Sequence, residues 1–193
     1  MRQLSENLYL YEDTCYVYVI RSGDTAVLVD FGSGGVLDEM AGIGVKRVTD
    51  ILITHHHRDQ LQGYPRAVAA GIRIWAPHTE QDLIADADSH WQAREIYNNY
   101  NMRQDRFTPL SSIPIAGTLR DYDTRRFGPY DFFILPTPGH TIGSITLLAD
   151  IDGARVAFTG DLIAAPGHVW SIAATQWTYN GAEGIAAGLA SLL

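Results

Sequence analysis

The sequence predicts an α/β layered sandwich, with two β-sheets packed face to face and helices covering them outside. Three observations carry this reading: β-rich runs crowd the first third of the chain, strands return after residue 119, and a helical pattern accompanies each set. No period of about 20 to 50 residues repeats, and no low-complexity tract or charge block marks a linker, so residues 1–193 read as one domain.

The first strands are Leu8–Tyr11, then Cys15–Arg21 with its β-branched and aromatic residues, then Thr25–Val29 beyond the turn Ser22-Gly23-Asp24, a spacing that implies hairpins. The glycine-rich stretch Asp30–Gly35 leads into a helix near Val36–Ala41, and Val48–Ile53 reads as a fully buried strand ending at Thr54. Helical patterns follow over Gln60–Ala70 and Thr79–Tyr100, with the short strand Ile72–Ala76 between them. In the second half Leu119–Phe127, Phe132–Pro136, Ser144–Asp150 and Arg155–Thr159 read as strands, punctuated by the turns Gly128-Pro129-Tyr130-Asp131 and Asp152-Gly153. A last helix is expected over Ala182–Leu192.

Composition narrows the function. The chain is 46% hydrophobic and 19% charged, and at this size about 70% of the unfolded surface is buried on folding, so no disulfide or structural metal is needed for a core. A metal, if bound, is free to serve chemistry. The formal charge of −8 repels phosphate backbones and anionic lipid, so neither nucleic acid nor membrane is an expected partner. Cys15 stands alone, the opening Met1–Asn7 turns polar at once, and no run approaches the roughly 20 apolar residues of a membrane span. These features predict a cytoplasmic protein acting on a small-molecule substrate, with the oligomeric state open.

Chemistry concentrates where a buried strand ends. Ile51-Leu52-Ile53-Thr54 runs into His55-His56-His57-Arg58-Asp59-Gln60, which holds three of the seven histidines and a carboxylate. In extended chain, residues i and i+2 point the same way, so His55 and His57 converge while His56 faces elsewhere. Neutral imidazoles are common ligands for zinc, iron, nickel or copper. Two further segments repeat the design, a hydrophobic strand ending in a glycine-bearing loop: Phe132–Pro136 into Thr137-Pro138-Gly139-His140-Thr141, and Val156–Thr159 into Gly160-Asp161. With His55 and His57, the residues His140 and Asp161 make a metal shell. Asp30–Gly35 is not a dinucleotide loop, because Leu37 stands where the third glycine belongs. His56 is expected to support the ligands or pack at the sheet edge, and His78 and His90 to lie at the surface. Trp91, Tyr97, Tyr100, Trp170, Trp177 and Tyr179 either wall a cleft or pack a core.

Four motifs in order, Asp30-x-Gly32, the run His55-x-His57-x-Asp59, Pro138-Gly139-His140-Thr141-x-Gly143-Ser144, and Thr159-Gly160-Asp161, resemble those of the metallo-β-lactamase superfamily over most of the chain. The resemblance implies an αββα sandwich of two mixed sheets with outer helices. It implies that His55, His57 and His140 hold a first metal, that Asp59 belongs to a second, and that Asp161 bridges or serves either. The second half is most similar to the glyoxalase II-like and broad hydrolase branches.

Two departures shape the expectation. Gln60 stands where the family has a histidine for the second metal, and an amide oxygen is a weaker zinc ligand than imidazole. The family's last histidine comes from a strand well beyond Thr-Gly-Asp, whereas 32 residues follow Asp161 and His168 comes too early. An apolar helix ending without a cap predicts that the chain is the N-terminal piece of a longer protein, lacking the last strand and helix.

The leading expectation is a Zn²⁺-dependent hydrolase of ester, thioester, lactone or phosphodiester bonds, with one tight metal, a weak or altered second site, and Asp59 orienting or deprotonating the water. An alternative is a non-haem Fe²⁺ dioxygenase of the persulfide dioxygenase type on His55, His140 and Asp161. A third is a non-catalytic binding domain on the same fold.

Overall fold

The computed structural model describes residues 1–93, 107–165, 168–169 and 182–193. A seven-stranded sheet takes its strands in chain order, β1 Arg2–Gln3, β2 Leu8–Glu12, β3 Tyr16–Ser22, β4 Thr25–Val29, β5 Arg47–Leu52, β6 Arg73–Pro77 and β7 Gly117–Leu119. The first four pair antiparallel, as the expected hairpins, and β4 to β7 run parallel. The second sheet is antiparallel, with β8 Thr124–Phe127, β9 Tyr130–Pro136, β10 Ile145–Ile151 and β11 Ala154–Phe158 in the order β11-β10-β9-β8. A small ribbon of β12 Ile163–Ala165 and β13 His168–Val169 follows.

The alternation of each strand of the first sheet sorts two cores. Leu28, Ile51, Ile53 and Ile74 point to one face, where they meet Val36, Leu61, Ala67 and Ile84 from the connecting helical segments. Val27, Val29, Leu52 and Trp75 point to the other, against Phe132, Ile134, Ile145, Leu147 and Phe158 of the second sheet. Burial of both faces is what parallel central strands require, and each fully buried Leu or Ile contributes about 1.5–3 kcal/mol. Asp50, fully buried on β5, accepts Trp75 Nε1–H at 2.8 Å and Arg73 Nη2–H at 2.9 Å, so it is paired as a buried carboxylate must be.

Some expected elements differ. The stretch Leu119–Phe127 is not one strand: Tyr122 adopts a left-handed φ of 62°, which turns the chain out of β7 in one sheet and into β8 in the other. The helix expected near Val36 is a 3-10 helix, Gly35–Ile43. Gln60–Ala70 divides into a 3-10 turn, Arg58–Gln60, and α1 Tyr64–Ala69, with Pro65 in the first turn where its missing N–H costs nothing. Thr79–Tyr100 divides into a 3-10 turn, His78–Glu80, then α2 Gln81–Ala85 and α3 Ala87–Ala93, and its remainder lies outside the described residues. The final helix, α4, spans Ala182–Leu192 as expected. Among the described residues no helix is long and apolar enough to cross a membrane.

The register gathers the loops that matter. Val29 pairs with Leu52 and Leu52 with Trp75, so the chain leaves β4, β5 and β6 at one edge of the first sheet. In the second sheet β9 and β11 run the same way and leave beside that edge, and Ile145 N–H donates to Thr54 O at 3.0 Å to tie the two sheets there.

Candidate metal centre

His55, His56 and His57 follow β5 after Ile53 and Thr54, and all three are buried. Thr54 fixes the first. Its N–H donates to Asp30 Oδ1 at 2.9 Å and its hydroxyl to Asp30 Oδ2 at 2.9 Å, so Thr54 Oγ1, 3.1 Å from His55 Nδ1, is left to accept the proton of that ring nitrogen. The lone pair of His55 then sits on Nε2, which is buried and finds no hydrogen-bond partner among the described residues. Asp30 stands at a left-handed φ of 57°, and its burial pushes its carboxyl well above the usual range against the opposing Thr54 donors.

The third imidazole arrives on the loop after β9. Thr137 N–H donates to Ser144 O, and Thr141 binds the Ser144 hydroxyl through its N–H at 3.1 Å and its own hydroxyl at 2.7 Å, which closes the loop around His140. Gly139 has φ 153°, and a Cβ there would stand 2.5 Å from Gly188 Cα, so a glycine on each side lets α4 lie directly on the loop. Ser191 of α4 donates to Pro138 O at 2.8 Å from the same face.

The rings of His55, His57 and His140 stand edge to face, each pair with centroids 4.7 Å apart. His57 Nδ1 is 3.0 Å from His140 Nε2, and Asp161 Oδ2 is 3.3 Å from His140 Nε2 and 3.8 Å from His55 Nε2. One nitrogen from each histidine lies within 4.8 Å of the others, the spacing of a shell around one ion. Burial, then the neighbouring imidazoles, pushes His55 and His57 well below the ordinary histidine range, which keeps both neutral with a lone pair to offer. Asp161 is pushed up to about 7, first by burial and then by the nearby Asp59 carboxylate, and burial raises Asp59 as well. Two confined carboxylates beside three buried imidazoles, two of them held neutral, are a cluster that a cation relieves, and the donor set therefore fits a divalent metal.

The structure thus brings together His55, His57, His140 and Asp161. Asp59 lies on the same side, with Oδ2 accepting Gln60 Nε2–H at 3.2 Å, and the Gln60 carbonyl accepts the N–H groups of Phe31 and Gly32. Gln60 is therefore tied into the packing of two loops. His56 turns into the protein, with Nδ1 3.0 Å from Glu80 Oε2, while His78 and His90 are half-buried and not at the free surface as expected. Trp91 donates to Pro109 O; the other aromatic residues singled out, 97, 100, 170, 177 and 179, lie outside the described residues. Sequence reasoning missed Glu80 and Phe107. Phe107 is half exposed, with its ring 5.0 Å from that of His57. Beside Asp161 and Gln60 opens a cleft of about 540 Å³ walled by Arg2, Tyr16, Tyr18 and Ile163.

The model of the metallo-beta-lactamase superfamily matches residues 10–191. The chain belongs to this superfamily. Among curated proteins it is similar to hydroxyacylglutathione hydrolases, with 33% identity to that of Fuscovulum blasticum over 147 residues, 76% of this chain and 46% of the relative. Identity to the Cereibacter sphaeroides enzyme is 34% over 155 residues, 78% of this chain and 48% of the relative. The chain spans about half the length of the curated relatives it matches. Its fold is that of solved metallo-beta-lactamases: one from Cronobacter sakazakii superposes with a TM-score of 0.71 at 17% identity over 97% of this chain and 74% of the other. FEZ-1 from Legionella gormanii gives 0.68 at 17% identity, covering 99% and 74%. The Cronobacter protein is described by a HARLDQ motif, which ends in the same Asp-Gln pair as His55–Gln60 here.

Proposed function

We propose that this chain is the catalytic core of a metal-dependent hydrolase in which His55, His57 and His140 hold one divalent cation and Asp161 is the fourth protein donor. The observation that carries the reading is the convergence of His55 Nε2, His57 Nδ1, His140 Nε2 and Asp161 Oδ2, with neighbouring separations of 3.0, 3.3 and 3.8 Å. Zinc bonds of about 2.0–2.1 Å place neighbouring ligand atoms about 2.9–3.6 Å apart, and a zinc shell that expands from four to five ligands keeps a position for water beside these four donors, so the donor set suits Zn²⁺. The bound ion supplies Lewis acidity to a water and to the scissile carbonyl.

The remaining work falls to the chain. Asp59, near enough to Asp161 to raise its carboxyl and itself raised by burial, is the group we assign to take a proton from the attacking water. Arg2, Tyr16 and Tyr18 line the cleft where the rest of a small substrate extends, and the half-exposed Phe107 ring packs against His57 with centroids 5.0 Å apart. Asp59, Asp161 and the Gln60 amide are oxygen donors, so a second cation is held weakly, and Gln60→His strengthens it.

The names of the relatives support a thioester as the first substrate to try. Release of thiol from a hydroxyacyl thioester of glutathione, and of phenol from an aryl ester, tests the reading. We expect turnover that a chelator removes and Zn²⁺ restores. Hydrolysis indifferent to the chelator would overturn it, as would oxygen uptake with a glutathione persulfide by iron-loaded protein that hydrolyses neither ester. The dioxygenase reading needs two histidines and a carboxylate, and the cluster holds one imidazole more, which favours hydrolysis.

A further inference from the structure

Glu80 lies in the 3-10 turn His78–Glu80 that follows β6, and both its side chain and that of His56 are fully buried. A carboxylate in such a place must be fully engaged. One oxygen, Oε2, accepts the backbone N–H of His56 at 2.9 Å and faces the His56 ring nitrogen Nδ1 at 3.0 Å. The other, Oε1, accepts the backbone N–H of Gly143 at 2.9 Å, and the Thr141 hydroxyl also binds the carboxylate. Burial alone would raise this carboxyl, but His56, Thr141 and Gly143 outweigh it and hold it below the usual range.

The partners come from two separate loops. His56 sits between His55 and His57, whereas Thr141 and Gly143 follow His140 by one and three residues. Ligands from one sheet are thereby joined to the ligand from the other through a single side chain that reaches no ligand itself. Charge-assisted hydrogen bonds to an ionised carboxylate are stronger than those between neutral groups.

We propose that Glu80 is a positioning residue that sets the distance between the His55–His57 pair and His140, and so sets the affinity and ligand field of the metal they hold. This rests on the three histidines holding a metal. Partners one step removed from a metal commonly govern 10- to 100-fold in affinity. Glu80→Gln keeps the shape but turns an amide N–H₂ toward one loop's backbone N–H, donor against donor, so one of the two loops is released.

The test uses Co²⁺ as a spectroscopic probe, titrated into the full chain against a competing chelator, with the d–d absorption recorded alongside thermal unfolding. We expect Glu80→Gln to bind Co²⁺ about 10- to 100-fold more weakly, with shifted d–d bands. Thr141→Val, which removes one donor and keeps the volume, should shift the bands the same way to a smaller extent and covers the case of a Glu80 variant that does not fold. Asp50→Asn is the control for plain destabilisation: it disturbs an equally buried carboxylate, tied to Trp75 and Arg73, and should leave the spectrum of the unmodified chain. If the unmodified chain binds no Co²⁺, the metal centre itself is refuted. If it binds Co²⁺ and both Glu80→Gln and Thr141→Val match it in affinity and spectrum, or Asp50→Asn shifts the bands equally, the role of Glu80 is refuted and the metal centre stands.

Discussion

His57→Ala should abolish tight metal binding while leaving a folded protein, with an affinity loss of at least about 100-fold in a chelator competition. The lower bound follows from the 10- to 100-fold typical of partners that only support a ligand, since His57 is itself proposed to coordinate. Its Nδ1 faces His140 at 3.0 Å, and its Nε2 is buried with no hydrogen-bond partner among the described residues, so the ring contributes little to the protein's own hydrogen bonding. Removing it takes away a proposed ligand and relieves crowding among three buried imidazoles, of which burial and the neighbouring rings already keep His55 and His57 neutral. Thermal unfolding of the metal-free variant should therefore stay close to that of the metal-free parent, and metal-dependent hydrolysis should disappear. Retained hydrolysis with retained tight binding would remove His57 from the site.

Gly63→Ala should be among the most destabilising single substitutions in the chain, for a reason that lies outside the metal. Gly63 has an ordinary φ of −77°, but a Cβ there would stand 2.2 Å from the carbonyl carbon of Ser33 and 2.4 Å from Gly34 N. Both are backbone atoms, so no side chain can swing aside. The crowded loop is the one fixed by Asp30 to Thr54 and by the Phe31 and Gly32 amides to Gln60 O, and Gly63 N–H itself donates to Gly32 O at 2.8 Å. Overpacking usually costs about 1–3 kcal/mol, and a collision of backbone with backbone belongs at or above the top of that range. At about 2–4 °C per kcal/mol for a chain of this size, we expect the unfolding temperature of the metal-free protein to fall by about 6–12 °C or more. A change under 2 °C would show that the two loops separate easily and that the account of their interlock is wrong.

The two sheets and the residues of the proposed metal centre are legible because their signals are local. β4 is found at Thr25–Val29 as read, and β2, β3, β5 and β9 to β11 are each within two residues of their expected bounds, since apolar alternation and turn residues decide both. His55, His57, His140 and Asp161 each follow a hydrophobic strand, and strand ends leaving one edge bring them together. What could not be read is relational. Nothing within Leu119–Phe127 says that its halves join different sheets, because that depends on Tyr122 taking a left-handed turn that its residue type does not favour. Glu80 looks like a helix-start acid until β6 delivers it between two loops, one reached at His56, 24 residues before it, and the other at Gly143, 63 residues after it. Gln60 was read through its side chain, whereas much of its structural role is played by its backbone carbonyl.

The central claim is that three buried imidazoles and Asp161 form a single tight cation site in this chain. Metal analysis of folded protein purified without chelator, followed by titration with Zn²⁺, tests it most directly. We expect close to one equivalent of divalent transition metal held tightly and a second taken up only at much higher concentration. Less than about half an equivalent of any transition metal in folded protein, with no tight uptake on titration, would contradict the site, and two equally tight equivalents would contradict the reading of Gln60.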